Sequence, residues 1–465
     1  MRYHDQSGNT SRTHGAAGAA SPGTAGEAGD ATARTIRRRL LPFLFALYVV
    51  AYLDRINVGF AALTMNQELG LSSQQYGLLS GIFFWGYFLF EVPSNLILER
   101  IGARVWIARI LISWGVVSLA TAFAQSALQL YVARILLGVA EAGFFPGIVL
   151  YLTYWFRQGE LAGVIGLFMT ALPTASIVGG PVSGWILDNV HGFGLSSWRW
   201  VLLLEALPAV IGGIGTYWFL PNGPADARFL TAERKRALLV TLRGEPETKF
   251  GSERSSVLRT IGSPRVLYLA AVAFLFMTGS YVTGFWMPQT IRAAGHGLSH
   301  STIGLLVMPP NLIGLCVMVL VSRSSSRRGE RHWHAALSLL GASVAFCFVG
   351  SAGTLWACIA LWSLATSGLY GFIGPFWSMP GQFLTGRAAA TALAAICSLG
   401  NLAGFVALAV LGSMAGRAGG VAEGFHWVAA ALLLGALLLA VPRCYAAFVT
   451  GSRITHTCRA SARLP

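Results

Sequence analysis

Four charged residues stand where charge is expensive. Arg134 and Glu141 lie in RILLGVAEAGFFPG (134–147), within an apolar stretch from Leu128 to Phe156. Asp54 and Arg55 lie in LYVVAYLDRINVGFA (47–61), another apolar run. A charge near the middle of a bilayer-spanning helix costs at least about 2.5 kcal/mol by insertion scales. On a regular helix Arg134 and Glu141 share a face two turns apart, roughly 10 Å along the axis, which is too far for a mutual ion pair. Each needs a partner elsewhere, and the first helix offers one of each sign. The expected pairs are Asp54 with Arg134 and Arg55 with Glu141. Tyr48, Tyr52 and Arg55, spaced by four and three, share one face of that helix, and Asp54 projects about 100° away from Arg55.

Two kinds of chemistry fit such a set. Buried ion pairs can simply fix helix packing, although desolvation offsets most of their attraction and an apolar pairing folds as well. The alternative is coupling. Burial raises the proton affinity of a carboxylate and a neighbouring arginine lowers it. A substrate carboxylate that competes for Arg55 leaves Glu141 less stabilised as an anion and readier to hold a proton. Proton binding and anion binding then depend on each other.

The elements that must position these groups are membrane helices. The chain of 465 residues is 55% hydrophobic and only 11% charged, against about one quarter charged in a soluble domain. Apolar runs near 20 residues long recur throughout, the signature of a polytopic membrane protein. Twelve helices are expected near 40–66, 75–98, 105–124, 127–156, 161–187, 199–220, 265–293, 302–321, 333–350, 354–383, 387–414 and 423–448. Of the 33 lysines and arginines, 27 lie in alternate connections and the termini, which places both termini in the cytoplasm and leaves no basic segment for nucleic-acid binding. Residues 1–33, rich in Gly, Ala, Ser and Thr, read as a disordered cytoplasmic tail. A six-helix bundle (34–220), a polar cytoplasmic linker (221–264), a second bundle (265–448) and a basic cytoplasmic tail (449–465) follow. ERIGAR (99–104) and SRRGER (326–331) occupy the same place in each half, as two related six-helix units require. The six cysteines show no metal-ligand spacing; neither a metal, a cofactor nor a structural disulfide is expected.

The chain resembles the major facilitator superfamily, and within it the anion:cation symporters that move tartrate, phthalate, sugar acids and related compounds. YLDRINVGFA (52–61), EVPSNLILERIGAR (91–104), RILLGVAEAGFFPGIVLYLTYWF (134–156), GGPVSGWIL (179–187), WRWVLLLEALPA (198–209), SRRGERHWH (326–334) and SLGNLAGF (398–405) carry the resemblance, in order, from about residue 40 to 448. It implies an all-α membrane fold of twelve transmembrane helices in two six-helix bundles. It also singles out Asp54, Arg55, Arg134 and Glu141 as the functional charges and Asn401 as a position that hydrogen-bonds substrate. In two places the chain departs from the pattern: Glu99 stands where Asp is common, and Ser326 where an acid is usual.

Together these readings describe a transporter, not an enzyme: a proton-coupled symporter of a small organic anion, either a sugar acid or an aromatic carboxylate, in the cytoplasmic membrane. Its partners are the anion, protons and the lipid bilayer, and it works as a monomer. Glu141 and Asp54 handle protons. Arg55, Arg134, Tyr52, Asn401, Gln289, Trp377 and Tyr48 form the substrate set, and Glu99, Arg100, Gly102, Arg104 and Pro181 the gates. A lipid-facing or packing role is the competing reading for each aromatic, a satisfied interhelical amide for Asn401, and cytoplasmic anchoring for Arg100 and Arg104. Glu91 reads as structural or gating. An exporter or sodium-coupled carrier of the same fold, and a membrane sensor that binds a carboxylate without carrying it, are the alternative functions.

Overall fold

A computed structural model describes residues 22–243, 262–380, 386–417 and 420–441. Twelve helical spans among them are long and apolar enough to cross a membrane. The first six are built from α1 (Pro22–Glu68), α2 (Ser73–Ile101), α3 (Ala103–Thr121), α4 (Ala127–Glu141) with α5 (Phe144–Thr153), α6 (Gln158–Met169) with α7 (Ala171–Asn189), and α8 (Ser197–Phe219). A short amphipathic helix, α9 (Ala232–Arg243), follows. The last six are α10 (Pro264–Ala294), α11 (His300–Arg328), α12 (His332–Val349), α13 (Leu355–Trp377), α14 (Gly386–Ala415) and α15 (Gly420–Ala440).

Local chemistry sets several helix starts. Ser72 and Gln75 form a capping box at α2, and Ser126, Ser263, Ser299 and Thr354 accept backbone N–H bonds at α4, α10, α11 and α13. Each supplies an acceptor to a first-turn N–H that has no partner within the helix.

Four expectations need correction. The fourth span is not one helix over 127–156: Ala142 is extended and Gly143 sits at φ +85°, so α4 stops at Glu141 and α5 restarts at Phe144. Glycine tolerates that left-handed turn, and a Cβ there would lie 2.7 Å from Ser94 Cβ. The fifth span is divided at Thr170, where α6 ends and α7 begins. α13 ends at Trp377, leaving Ser378 as its cap and not within the helix. Helix α1 already starts at Pro22, so residues 22–33 are helical where an irregular tail is expected; their alanines favour helix. Residues 1–21 and 449–465, and with them most of that tail and the basic one, lie outside the described residues, as do 244–261 of the linker.

The first six spans pack mainly on one another, α8 against α1 and α3, and α4 against α2 and α3. The last six do likewise, α13 against α11 and α12, and α10 against α14. Three helix pairs carry most of the contact between the sets among the described residues: α2 with α14, α7 with α11, and α1 with α10. A Cβ on Gly77 would sit 2.7 Å from Gly412 Cα, one on Gly180 2.8 Å from Gly304 O, and one on Gly59 2.9 Å from Gly284 O. Glycines let these backbones touch, as small residues do in membrane helix pairs generally.

Candidate functional site

Arg55, from the middle of α1, donates through Nη2 to Glu141 Oε1, an ion pair that joins α1 to α4. Both residues are buried. The helix break explains part of the geometry. Glu141 is the last residue of α4, at the negative end of that helix's dipole, where an anion needs an offsetting cation. The rings of Phe83 and Tyr87, on α2, flank the Arg55 guanidinium at 5.4 and 5.3 Å. Arg55 Nε and Glu141 Oε2 have no hydrogen-bond partner among the described residues.

Asp54 and Arg134 do not form the expected ion pair. Asp54 accepts instead from three neutral donors: Trp114 Nε1 at 2.5 Å, Ser118 Oγ at 2.7 Å and Asn57 Nδ2 at 3.2 Å. Trp114 and Ser118 stand one turn apart on α3 and meet both carboxylate oxygens. Arg134, 1% exposed, is left between the rings of Phe83 (5.2 Å) and Phe285 (6.0 Å). Its Nε and Nη2 have no partner among the described residues. A guanidinium with two unused donors in an aromatic slot is costly for the fold, and it is chemically suited to an anion.

On the neighbouring face of α1 a small cavity opens between the two sets of spans. Tyr52, Ile56 and Phe60 line it from α1, Ser176 from α7, Ser280 and Thr283 from α10, and Asn311 and Tyr370 from α11 and α13. Tyr370 Oη donates to Asn311 Oδ1 at 2.6 Å, which holds a polar wall in place. Asn401 lies elsewhere, against the Arg55 side: Tyr281 Oη donates to its Oδ1 at 2.7 Å. The substrate residues expected from sequence are therefore not gathered on one surface. Tyr52 lines the cavity. Tyr48 is stacked on Phe168 at 4.5 Å and on Phe145 at 5.5 Å. Gln289 bonds weakly to Phe285 O at 3.4 Å, and Trp377 packs edge-on against Phe376; neither lines the cavity.

The residues expected to gate lie at the ends and crossings of helices. Gly102 turns the chain from α2 into α3 at φ +98°, beside Glu99 and Arg100 at the close of α2. Arg104 N donates to Asn222 Oδ1, and its guanidinium covers the Tyr217 ring. Pro181 sits where α7 crosses α11, 3.2 Å from where a Gly304 Cβ would be. Near Ser326, Glu330 caps α12: it accepts from Trp333 N at 2.7 Å, and its carboxylate meets His334 Nδ1 at 2.6 Å and His332 Nδ1 at 2.9 Å. Partial burial pushes its carboxyl up, but these bonds outweigh it and hold the group below the ordinary glutamate value.

Sequence reading passed over three positions. Asn311, beside Pro309 and Pro310, and Tyr370 carry the cavity's polar wall. Glu205, inside WRWVLLLEALPA, is buried in α8 and accepts from Ser183 Oγ at 2.5 Å. The signal in each case is a polar group in an apolar span, the same one that exposes Asp54 and Glu141.

Comparison with known proteins places this geometry in context. The model of the Major Facilitator Superfamily matches residues 44–408. A protein of Agrobacterium vitis named "Putative tartrate transporter" is 44% identical over 410 residues, covering 87% of this chain and 90% of its own. "Inner membrane transport protein RhmT" of Escherichia coli is 37% identical over 372 residues, covering 80% and 86%. Among solved structures, the xylose transporter XylE from E. coli, in a partially occluded inward-open conformation, superposes with a TM-score of 0.70 at 12% identity, over 87% of this chain and 97% of its own. A bacterial homolog of the human lysosomal transporter Spinster gives a TM-score of 0.66 at 17% identity, over 90% and 97%.

Proposed function

The chain belongs to the Major Facilitator Superfamily and is a membrane transporter, and on that premise we propose that it is a proton-coupled symporter of a small organic anion. The observation that carries this reading is the pair of buried guanidiniums with unused N–H donors, Arg55 Nε and Arg134 Nε and Nη2, beside a carboxylate. Arg55 is the anion clamp. Its bond to Glu141 is the resting arrangement, and a substrate carboxylate displaces Glu141 from it. Glu141, already at a helix C-terminus, then takes a proton. Asp54, held by α3, is the second proton-handling group, and Arg134 adds positive potential and donors to the anion site.

The relatives' names include tartrate transporters, which favours a hydroxylated acid. The hydroxyls of Tyr52, Ser176, Ser280, Thr283 and Tyr370 around the cavity suit its polar groups. With the basic connections inside, both termini face the cytoplasm of a bacterial inner membrane.

A thermal-shift screen of purified protein against a panel of hydroxy acids and aromatic carboxylates identifies the ligand. Uptake of that ligand into proteoliposomes is then measured under an imposed proton or sodium gradient. The expected result is accumulation driven by protons alone. Accumulation driven by sodium and indifferent to pH would contradict the coupling.

A further inference from the structure

Six charged-type side chains are buried in the first six spans: Asp54, Arg55, Glu91, Arg134, Glu141 and Glu205. Four carboxyl groups thus face two guanidiniums in a low-dielectric interior, where an uncompensated charge is strongly disfavoured. Glu141 is matched by Arg55. Asp54 has three donors and lies near Arg134. Glu205, 4% exposed, has neither arrangement. Ser183 Oγ donates to its Oε1, and no lysine or arginine pairs with it among the described residues.

Two atoms beside it are left over. Glu205 Oε2 has no partner, and neither does Asn57 Oδ1. The Asn57 amide reaches the Glu205 carboxyl while its Nδ2 donates to Asp54. A buried carboxylate oxygen with neither a donor nor a cation is strongly disfavoured as an anion. A proton on Glu205 removes that charge and leaves none beside Asp54.

We propose that Glu205 is a further proton-holding residue of the transport reaction, kept as a carboxylic acid in this conformation and linked through Asn57 to ionised Asp54. The two carboxyls are then complementary. Asp54 stays ionised while Glu205 holds the proton, and Glu205 can release it only when Asp54 has been neutralised. Among the described residues, the charges within the spans packed on α8 are engaged elsewhere. Arg55 on α1 is bonded to Glu141, Arg104 and Arg109 on α3 cover Tyr217 and Trp106, and Asp188 on α7 is engaged with His300 and Ser301. The role in transport rests on the proton-coupled reading above; the protonation of Glu205 does not.

Infrared spectra of the purified full-length protein, in ordinary and heavy water at neutral pH, test the protonation without transport. The expected result is a protonated-carboxyl stretch that Glu205→Gln removes and Glu91→Gln leaves in place. A Glu205→Gln spectrum that keeps every such band overturns the proposal. If Glu205→Gln is not recovered folded, Ser183→Ala decides instead, since loss of its hydroxyl must shift the band; a band that does not move overturns the proposal. For the transport role, the pH profile of substrate exchange is compared. Wild type is expected to slow on the alkaline side and Glu205→Gln to lose that fall, and identical profiles would refute it. Glu141→Gln bears on the coupling reading and leaves the Glu205 band unchanged, so the two failures are distinguishable.

Discussion

The six spans before α9 and the six after it are made of similar apolar helices, yet they bury different chemistry. Every buried acid or base of the Asp, Glu and Arg type among the described residues lies in the first set. The second buries neutral groups in their place, among them Thr278, Asn311, Thr366 and Asn401. The difference has a physical consequence. Separating a buried ion pair by removing one partner costs about 3–5 kcal/mol. A transporter whose two sets of helices move past each other avoids that cost if its ion pairs lie within one set. Arg55–Glu141 joins α1 to α4 and never crosses the interface. The links that do cross, among the described residues, include no buried ion pair. Ser398 donates to Glu91, Tyr76 Oη donates to Phe285 O at 2.8 Å and Arg292 donates to Leu63 O, while at a partly exposed edge Asp188 receives the backbone N–H groups of His300 and Ser301 and meets His300 Nδ1. On the proposed reading, the proton-handling groups and the anion clamp fall in the first set, and the second contributes neutral hydrogen-bonding groups.

The largest effect that would expose this division is expected from Arg55→Met, which leaves Glu141 buried without its cation. Thermal melts should show a loss of about 3–5 kcal/mol at alkaline pH. The loss should shrink as pH falls and Glu141 takes up a proton; a loss independent of pH would mean that the pair is not ionic. Arg55→Lys keeps the charge and loses the planar fork. Substrate affinity should fall by about tenfold or more, or ~1.4 kcal/mol, and wild-type affinity would show that Arg55 is not the clamp. On the neutral side, Asn311→Ala should weaken substrate binding by about 1 kcal/mol with the proton-to-substrate ratio unchanged. A changed ratio would place coupling in the second set as well. The smallest effect belongs to Glu330→Gln, at the cap of α12, costing about 1 kcal/mol or less. Because the folded carboxyl lies below its ordinary value of 4.5, the wild type's advantage is complete above that value and is lost as pH falls through the folded one. Melts of the two proteins should converge in acid.

What the sequence made legible follows from the cost of polar groups in lipid. DR at 54 and 55, and the Arg and Glu seven residues apart in RILLGVAE, stand out because an apolar span has no other use for them. The same rule reaches Glu205, Asn311 and Tyr370, but nothing local says which apolar span faces another helix and which faces lipid. Helical period correctly separated Arg134 from Glu141. It failed for Asp54 because the competing donors, Trp114 and Ser118, come from α3, and long-range packing is not encoded in spacing along α1. The break after Glu141 was equally hidden. A glycine in an apolar run is compatible with an unbroken helix, and only the close approach of Ser94 makes the left-handed turn at Gly143 visible.

Symport as proposed requires Glu141 to carry the coupled proton while Arg55 carries the anion. Glu141→Gln in proteoliposomes tests it most directly, with exchange at equal pH and accumulation under a proton gradient measured on the same preparation. Exchange is expected to survive and proton-driven accumulation to disappear. Accumulation equal to that of the wild type would contradict it.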